Sequence, residues 1–206
     1  MSFISKITVA LLGLASAVAA APAGSCPATQ QPPSKPACVP GTKIAIWQPE
    51  MWTIYPSNPT AQDSPVTGLN LVRHAEASIN EALAVFTGIP KEAKTCTLGW
   101  GASVKGERTE TFFVKDNGNT EWLQVPGKPP GKVTWNSVRP YVLNGGKSSG
   151  LDLTGGSDTD AAVAGIGCQL DCAETMYLYG IITDASAGSI FLDQDFQNGL
   201  NMQVTG

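Results

Sequence analysis

The chain has 206 residues, 42% of them hydrophobic and 15% charged, with a net charge of −4 and a pI near 4.9. These values suit one folded domain with a sizeable core and argue against both a disordered acidic chain and a membrane-embedded one. An acidic chain without a run of Lys or Arg is a poor match for a phosphate backbone, so nucleic acid is set aside as a partner.

The first nineteen residues read as a secretory signal peptide. Lys6 supplies the positive region, residues 7–15 the apolar core, and Ala17-Val18-Ala19 a small-x-small cleavage site. That apolar run is too short to cross a bilayer, and no later segment approaches spanning length. The last residues, 201–206, carry no hydrophobic tail of the kind that a glycosylphosphatidylinositol anchor needs. Residues 20–42 are rich in Pro and nearly free of large apolar side chains, which describes an extended arm; a Cys26–Cys38 bridge would close a short loop in it.

A β-rich domain is expected over residues 43–206. Residues 43–47 and 51–55 alternate apolar and polar groups and are punctuated by Pro49, Pro56, Pro59 and Pro65, as edge strands are. Residues 73–86 are ambiguous: local spacing favours helix over 75–80 and strand over 82–86. Strands follow at 95–100, 109–114 and 121–125, with a turn favouring positive φ at Asp116-Asn-Gly-Asn119. Residues 126–131 form a loop, 132–135 a short strand, 144–160 a long Gly/Ser/Asp loop and 161–166 a short apolar run. The clearest hairpin signal comes last, where residues 176–183 meet a small-residue turn at 184–188 and a second apolar run at 189–192. Short strands separated by turns indicate an antiparallel β-sandwich, jelly-roll-like.

Cys26, Cys38, Cys96, Cys168 and Cys172 remain after the leader, and in an oxidising compartment they are disulfide partners first. An odd number leaves one thiol free or bound to another molecule. Catalytic constellations are weak. His74 stands alone with Glu76 beside it and no Gly-x-Ser-x-Gly elbow. Glu107, Glu110, Glu121, Asp193 and Asp195 are the carboxylates that a glycoside hydrolase would have to bring together. Asp152, Asp158, Asp160 and Asp171 lie in or near the Gly-rich loop but lack the ligand order of a calcium loop, so neither metal nor cofactor is expected. Of the five tryptophans, Trp100, Trp122 and Trp135 suit a core, whereas Trp47 and Trp52 are candidates for stacking on cell-wall glucan or chitin. A carbohydrate-binding module of that kind would show two exposed, roughly coplanar indoles. No N-glycosylation acceptor occurs, since Pro59 spoils Asn58-Pro-Thr.

Several stretches resemble the fungal secreted proteins that carry a But-type C-terminal domain, a family named after a protein that binds the activating enzyme of a ubiquitin-like modifier. The matching text is Phe86-Thr-Gly-Ile-Pro90, then Ala93-Lys-Thr-Cys-Thr-Leu98, then Cys172 with Tyr177 or Tyr179, and the closing segments 180–184, 190–195 and 199–204. Together they span about residues 50–206. The chain departs from the pattern at Cys168, at Ala173 where a Pro is expected, and in its ending Val-Thr-Gly. The resemblance implies an all-β sandwich, an extended conformation over 75–86, a Cys96–Cys172 disulfide and no catalytic residues. Cys168 is then the odd thiol, or the partner of Cys26 or Cys38. The expectation is a secreted, non-enzymatic protein whose partner is a cell-wall polysaccharide or an extracellular protein; a leader peptide is incompatible with a cytosolic role in a ubiquitin-like pathway.

Overall fold

The computed structural model describes residues 43–108, 111–129, 131–144, 146–183 and 186–206. The expected leader, the Pro-rich arm with Cys26 and Cys38, and Glu110 lie outside them. Twelve strands and one short helix make an antiparallel sandwich. In chain order these are β1 (Lys43–Trp47), β2 (Glu50–Ile54), β3 (Gly68–His74), β4 (Ala77–Thr87), β5 (Thr95–Ala102), β6 (Phe112–Asp116) and β7 (Asn119–Val125). Then come α1 (Trp135–Val142), β8 (Ser148–Asp152), β9 (Val163–Leu170), β10 (Thr175–Ile182), β11 (Gly188–Asp193) and β12 (Gly199–Thr205). The smaller sheet runs β1-β12-β5-β9, and the larger β6-β11-β3-β4-β10-β7-β8, with β2 pairing beside β3 on the same edge of β4.

Chain connectivity requires the larger sheet to curl. Only Asn117 and Gly118 join β6 to β7, yet four strands stand between them in the sheet order. Two linking residues reach about 11 Å at most, whereas five flat strand spacings would need about 24 Å. The sheet therefore bends until its split ends meet, with Asp116 at a φ of 60° starting the tight turn. There the Asn117 amide donates to Ala187 O (3.3 Å) and its Nδ2 to Thr183 O (2.7 Å).

Between the sheets the strands interleave apolar side chains with period two: Leu69 and Leu71, Ala84 and Phe86, Leu98 and Trp100, Met176 and Leu178, Ile190 and Leu192, and Leu200, Met202 and Val204. Strand β4 is buried on both faces. Its Leu83 and Val85 point away from that core into a second cluster with Ile54, Val125, Tyr179 and Val138, which α1 covers. The sandwich is joined along one side where the Cys168 amide of β9 donates to the buried Ser149 hydroxyl of β8 (2.8 Å). At the opposite end of the larger sheet, the free edge of β6 is occupied by Ser157, whose hydroxyl accepts from the Val114 amide (2.9 Å).

Four local expectations change. Residues 75–80 are not helical: Ala75 and Glu76 form a turn, and Ala77 onward is strand, because Ala77, Ser78 and Asn80 pair with β3. Residues 132–135 are not a strand. Thr134 caps a helix instead, its hydroxyl accepting from the Ser137 amide (3.2 Å) while Ser137 Oγ accepts from the Thr134 amide (2.9 Å). The long loop contains a strand, β8, which the Gly and Ser residues conceal. Finally, β10 and β11 do not pair as a hairpin: β4 and β7 take both edges of β10, and β11 goes to the open edge of β3, where β6 joins it.

Cys96 and Cys172 are disulfide-bonded, with Cα atoms 5.3 Å apart and a sequence separation of 76. The bond ties β5 of the smaller sheet to the connection that carries the chain from β9 into β10 of the larger one. A link across so long a loop restricts the unfolded chain strongly, so reduction, or replacing both cysteines by Ala, is expected to cost about 2–5 kcal/mol in urea unfolding. Gly180 sits beneath the fully buried Trp122, whose Cζ3 would be 2.5 Å from an added Cβ. Gly180→Ala is expected to destabilise by about 1–3 kcal/mol or to force the indole out of its rotamer, which near-ultraviolet circular dichroism would register.

Candidate functional site

Helix α1 covers only one end of the outer face of β2, β4 and β10. The uncovered end forms an open groove of about 310 Å³. Strand pairing sets its floor, for Glu50 lies opposite Val85 and Trp52 opposite Leu83 on one side of β4, while Tyr177 and Thr175 face Val85 and Thr87 on the other. Leu83 and Val85 are the apolar bottom, and Trp52 and Tyr177 are half-buried rails on either side. The walls are Gln62 and the loop through Lys128, Pro129 and Gly131. That loop is held open by its composition, with Gly127 and Gly131 at φ 83° and 69°, values that β-carbon-bearing residues seldom adopt.

Further along the same outward row of β4 lies a buried acid. Glu81 is 5% exposed and accepts a hydrogen bond from the hydroxyl of Tyr179, itself 2% exposed. Burial raises the Glu81 pKa above the usual carboxylate range, against the opposing pull of the Tyr179 hydrogen bond and the Arg73 charge. The Tyr179 hydroxyl is pushed well above its ordinary range by burial and then by the neighbouring Glu81. Trp135 of α1 packs over the same tyrosine, ring centroids 6.2 Å apart.

The sequence candidates are scattered relative to this groove. Trp52 lines it, but Trp47 belongs to the outer face of the smaller sheet, where a Cβ on Gly101 would meet its Cη2 at 3.2 Å. The two indoles lie on different sheets and form no common platform. Trp100 and Trp122 are core residues, and Trp135 starts α1. His74 is exposed at the β3–β4 turn. Asp195 is engaged in the β11–β12 turn, accepting from the amides of Gln197 (2.6 Å) and Asn198 (2.7 Å), and Asp193 accepts from Thr111 N (3.4 Å). Glu121 lies on β7 opposite Gly150, away from both.

The loop carboxylates are equally dispersed: Asp160 faces Lys105 (3.5 Å), Asp171 faces Lys147 (2.7 Å), and Asp152 accepts from Thr154 N (2.8 Å). Among the described residues no group of three or more His, Cys, Asp or Glu side chains is placed to hold a metal. Cys168 is exposed and forms no disulfide with a described residue. No described helix is long and apolar enough to cross a membrane. Glu50, Lys128, Tyr177 and the Glu81–Tyr179 pair are the site residues that sequence reasoning passed over. Their signal was the outward row Leu83, Val85 on β4, which calls for a second cover and so for a boundary where that cover ends.

No family model, no characterised protein and no solved structure matches the chain.

The raised pKa of Glu81 has a definite sign. The folded state favours the neutral acid, so this group's contribution is fully present at low pH. It declines as the pH rises through the ordinary carboxylate range towards the folded pKa. Glu81→Gln keeps an acceptor for Tyr179 and removes the buried charge. The variant is expected to match the parent's urea midpoint near about pH 4 and to exceed it by about pH 7.

Proposed function

We propose that this chain is a secreted, non-enzymatic binding protein of the fungal But-type family that works at the cell surface or in the surrounding medium and recognises its partner in the Trp52 groove. Support for secretion comes from the leader pattern of residues 1–19 and from a disulfide compatible with an oxidising compartment. Support for the family rests on the short motifs around Phe86, Cys96 and Cys172. One observation carries the binding role: an open groove in which aromatic rails and an aliphatic floor meet amide, hydroxyl and charged groups at the rim. Binding is favoured over catalysis because the groove lining holds one carboxylate, one ammonium and no histidine, while Glu81 lies outside that lining, buried and engaged by Tyr179.

The test is expression of the full chain in a fungal host. The protein should be recovered from the medium with its N-terminus at residue 20 or 21, and should be retained on isolated cell walls in a manner that Trp52→Ala abolishes. Retention of the protein inside the cell, or wall binding indifferent to Trp52, would refute this reading.

A further inference from the structure

The chemistry of the groove narrows its ligand, on the footing that the groove is a binding site. We propose that it takes one or two rings of a single, uncharged oligosaccharide chain, held between Trp52 and Tyr177. Its volume, about 310 Å³, lies at the small end of ligand cavities and suits a few rings rather than a folded protein segment. Trp52 of β2 and Tyr177 of β10 stand on either side of β4, two strand spacings across and two residues along, so roughly 12 Å apart on a diagonal, with Leu83 and Val85 between them. A sugar ring is apolar on its C–H faces and polar at its edge, and this slot presents aromatic surface to the faces and polar groups to the edge.

The rim is suited to hydroxyls. Gln62, Thr87 and Thr175 each donate and accept, as a sugar hydroxyl does, whereas a strand or helix of protein would bring fixed rows of donors and acceptors. Glu50 and Lys128 contribute one charge of each sign, so a polyanion or polycation gains nothing net from entering. Trp47 lies on the other sheet, which leaves the groove without the flat array of indoles that a crystalline polysaccharide surface would need. The ligand is therefore a free chain or chain end. An aromatic-lined groove can also dock a Pro-rich peptide, and that competing occupant is built into the test.

The full mature protein is titrated by calorimetry and tryptophan fluorescence with soluble β-glucan oligosaccharides, chitin oligosaccharides, a Pro-rich peptide and a sulfated polysaccharide. Saturable binding of a neutral oligosaccharide is expected, with Kd on the order of 0.1–1 mM, unchanged between low and high salt. Trp52→Ala is expected to weaken it by about tenfold. Because Trp52 also packs on the second core, the exposed rim variant Thr87→Arg is measured in parallel and should weaken binding similarly with an unchanged unfolding midpoint. Absence of oligosaccharide binding up to about 10 mM, with Trp52-dependent wall retention intact, would sink the saccharide and leave the groove as a site for something else. Saturable binding of the peptide alone, salt-sensitive binding of the sulfated polymer alone, or oligosaccharide binding indifferent to both variants would each overturn the proposal.

Discussion

The structure depends on the need to cover β4 twice. Ala82, Ala84 and Phe86 face one way and Leu83 and Val85 the other, so no single layer can satisfy this strand. The inner row draws the smaller sheet onto the larger. The outer row draws in β2 and α1, and a capping box sets the helix where it can place Val138 over the second cluster. The groove lies on that outer face, floored by Leu83 and Val85 and bounded by Val133 just ahead of the helix.

The same strand joins stability to the site. Along its outward row Glu81 is buried against Tyr179, Leu83 and Val85 form the groove floor, and Thr87 reaches the rim. A buried carboxylate is an expensive choice there, and the Tyr179 hydroxyl that satisfies it comes from β10, the strand that also carries Tyr177. The Cys96–Cys172 bond lies just before β10 and fixes the point at which the chain leaves one sheet for the other. Covalent staple, groove wall and the hydroxyl that satisfies the buried acid thus follow one another along one segment, at Cys172, Tyr177 and Tyr179.

Much of the architecture was legible because period-two alternation survives in most strands, as in β11 and β12, and because turn residues mark their ends. The misreadings share a physical cause. The helix expected over 75–80 failed because Ala77, Ser78 and Asn80 are held as strand by pairing with β3, which local spacing does not register, whereas the strand expected over 82–86 is present. Thr134 and Ser137 carried a cap that local β-branched residues masked. The apparent hairpin of β10 and β11 failed because strand pairing is decided by which edges are free, and a short connection does not reveal that β4 and β7 have already taken both edges of β10. Of the site, Trp52 was legible as an aromatic on an edge strand. Tyr177 and Lys128 were not, because they come within reach of it only through the register of β2 and β10 on β4 and through the loop folding back over them.

The hydroxyl of Ser157 at β6 has a consequence beyond its own hydrogen bond. An open sheet margin is a template on which another chain can be laid down, and repeated addition is how fibres grow. At this margin the amide of Val114, which an incoming strand would need, is already engaged by a residue from a neighbouring loop. The sheet ends there because a side chain occupies the next place in the lattice, and an added strand would have to displace Ser157 before it could pair with Val114.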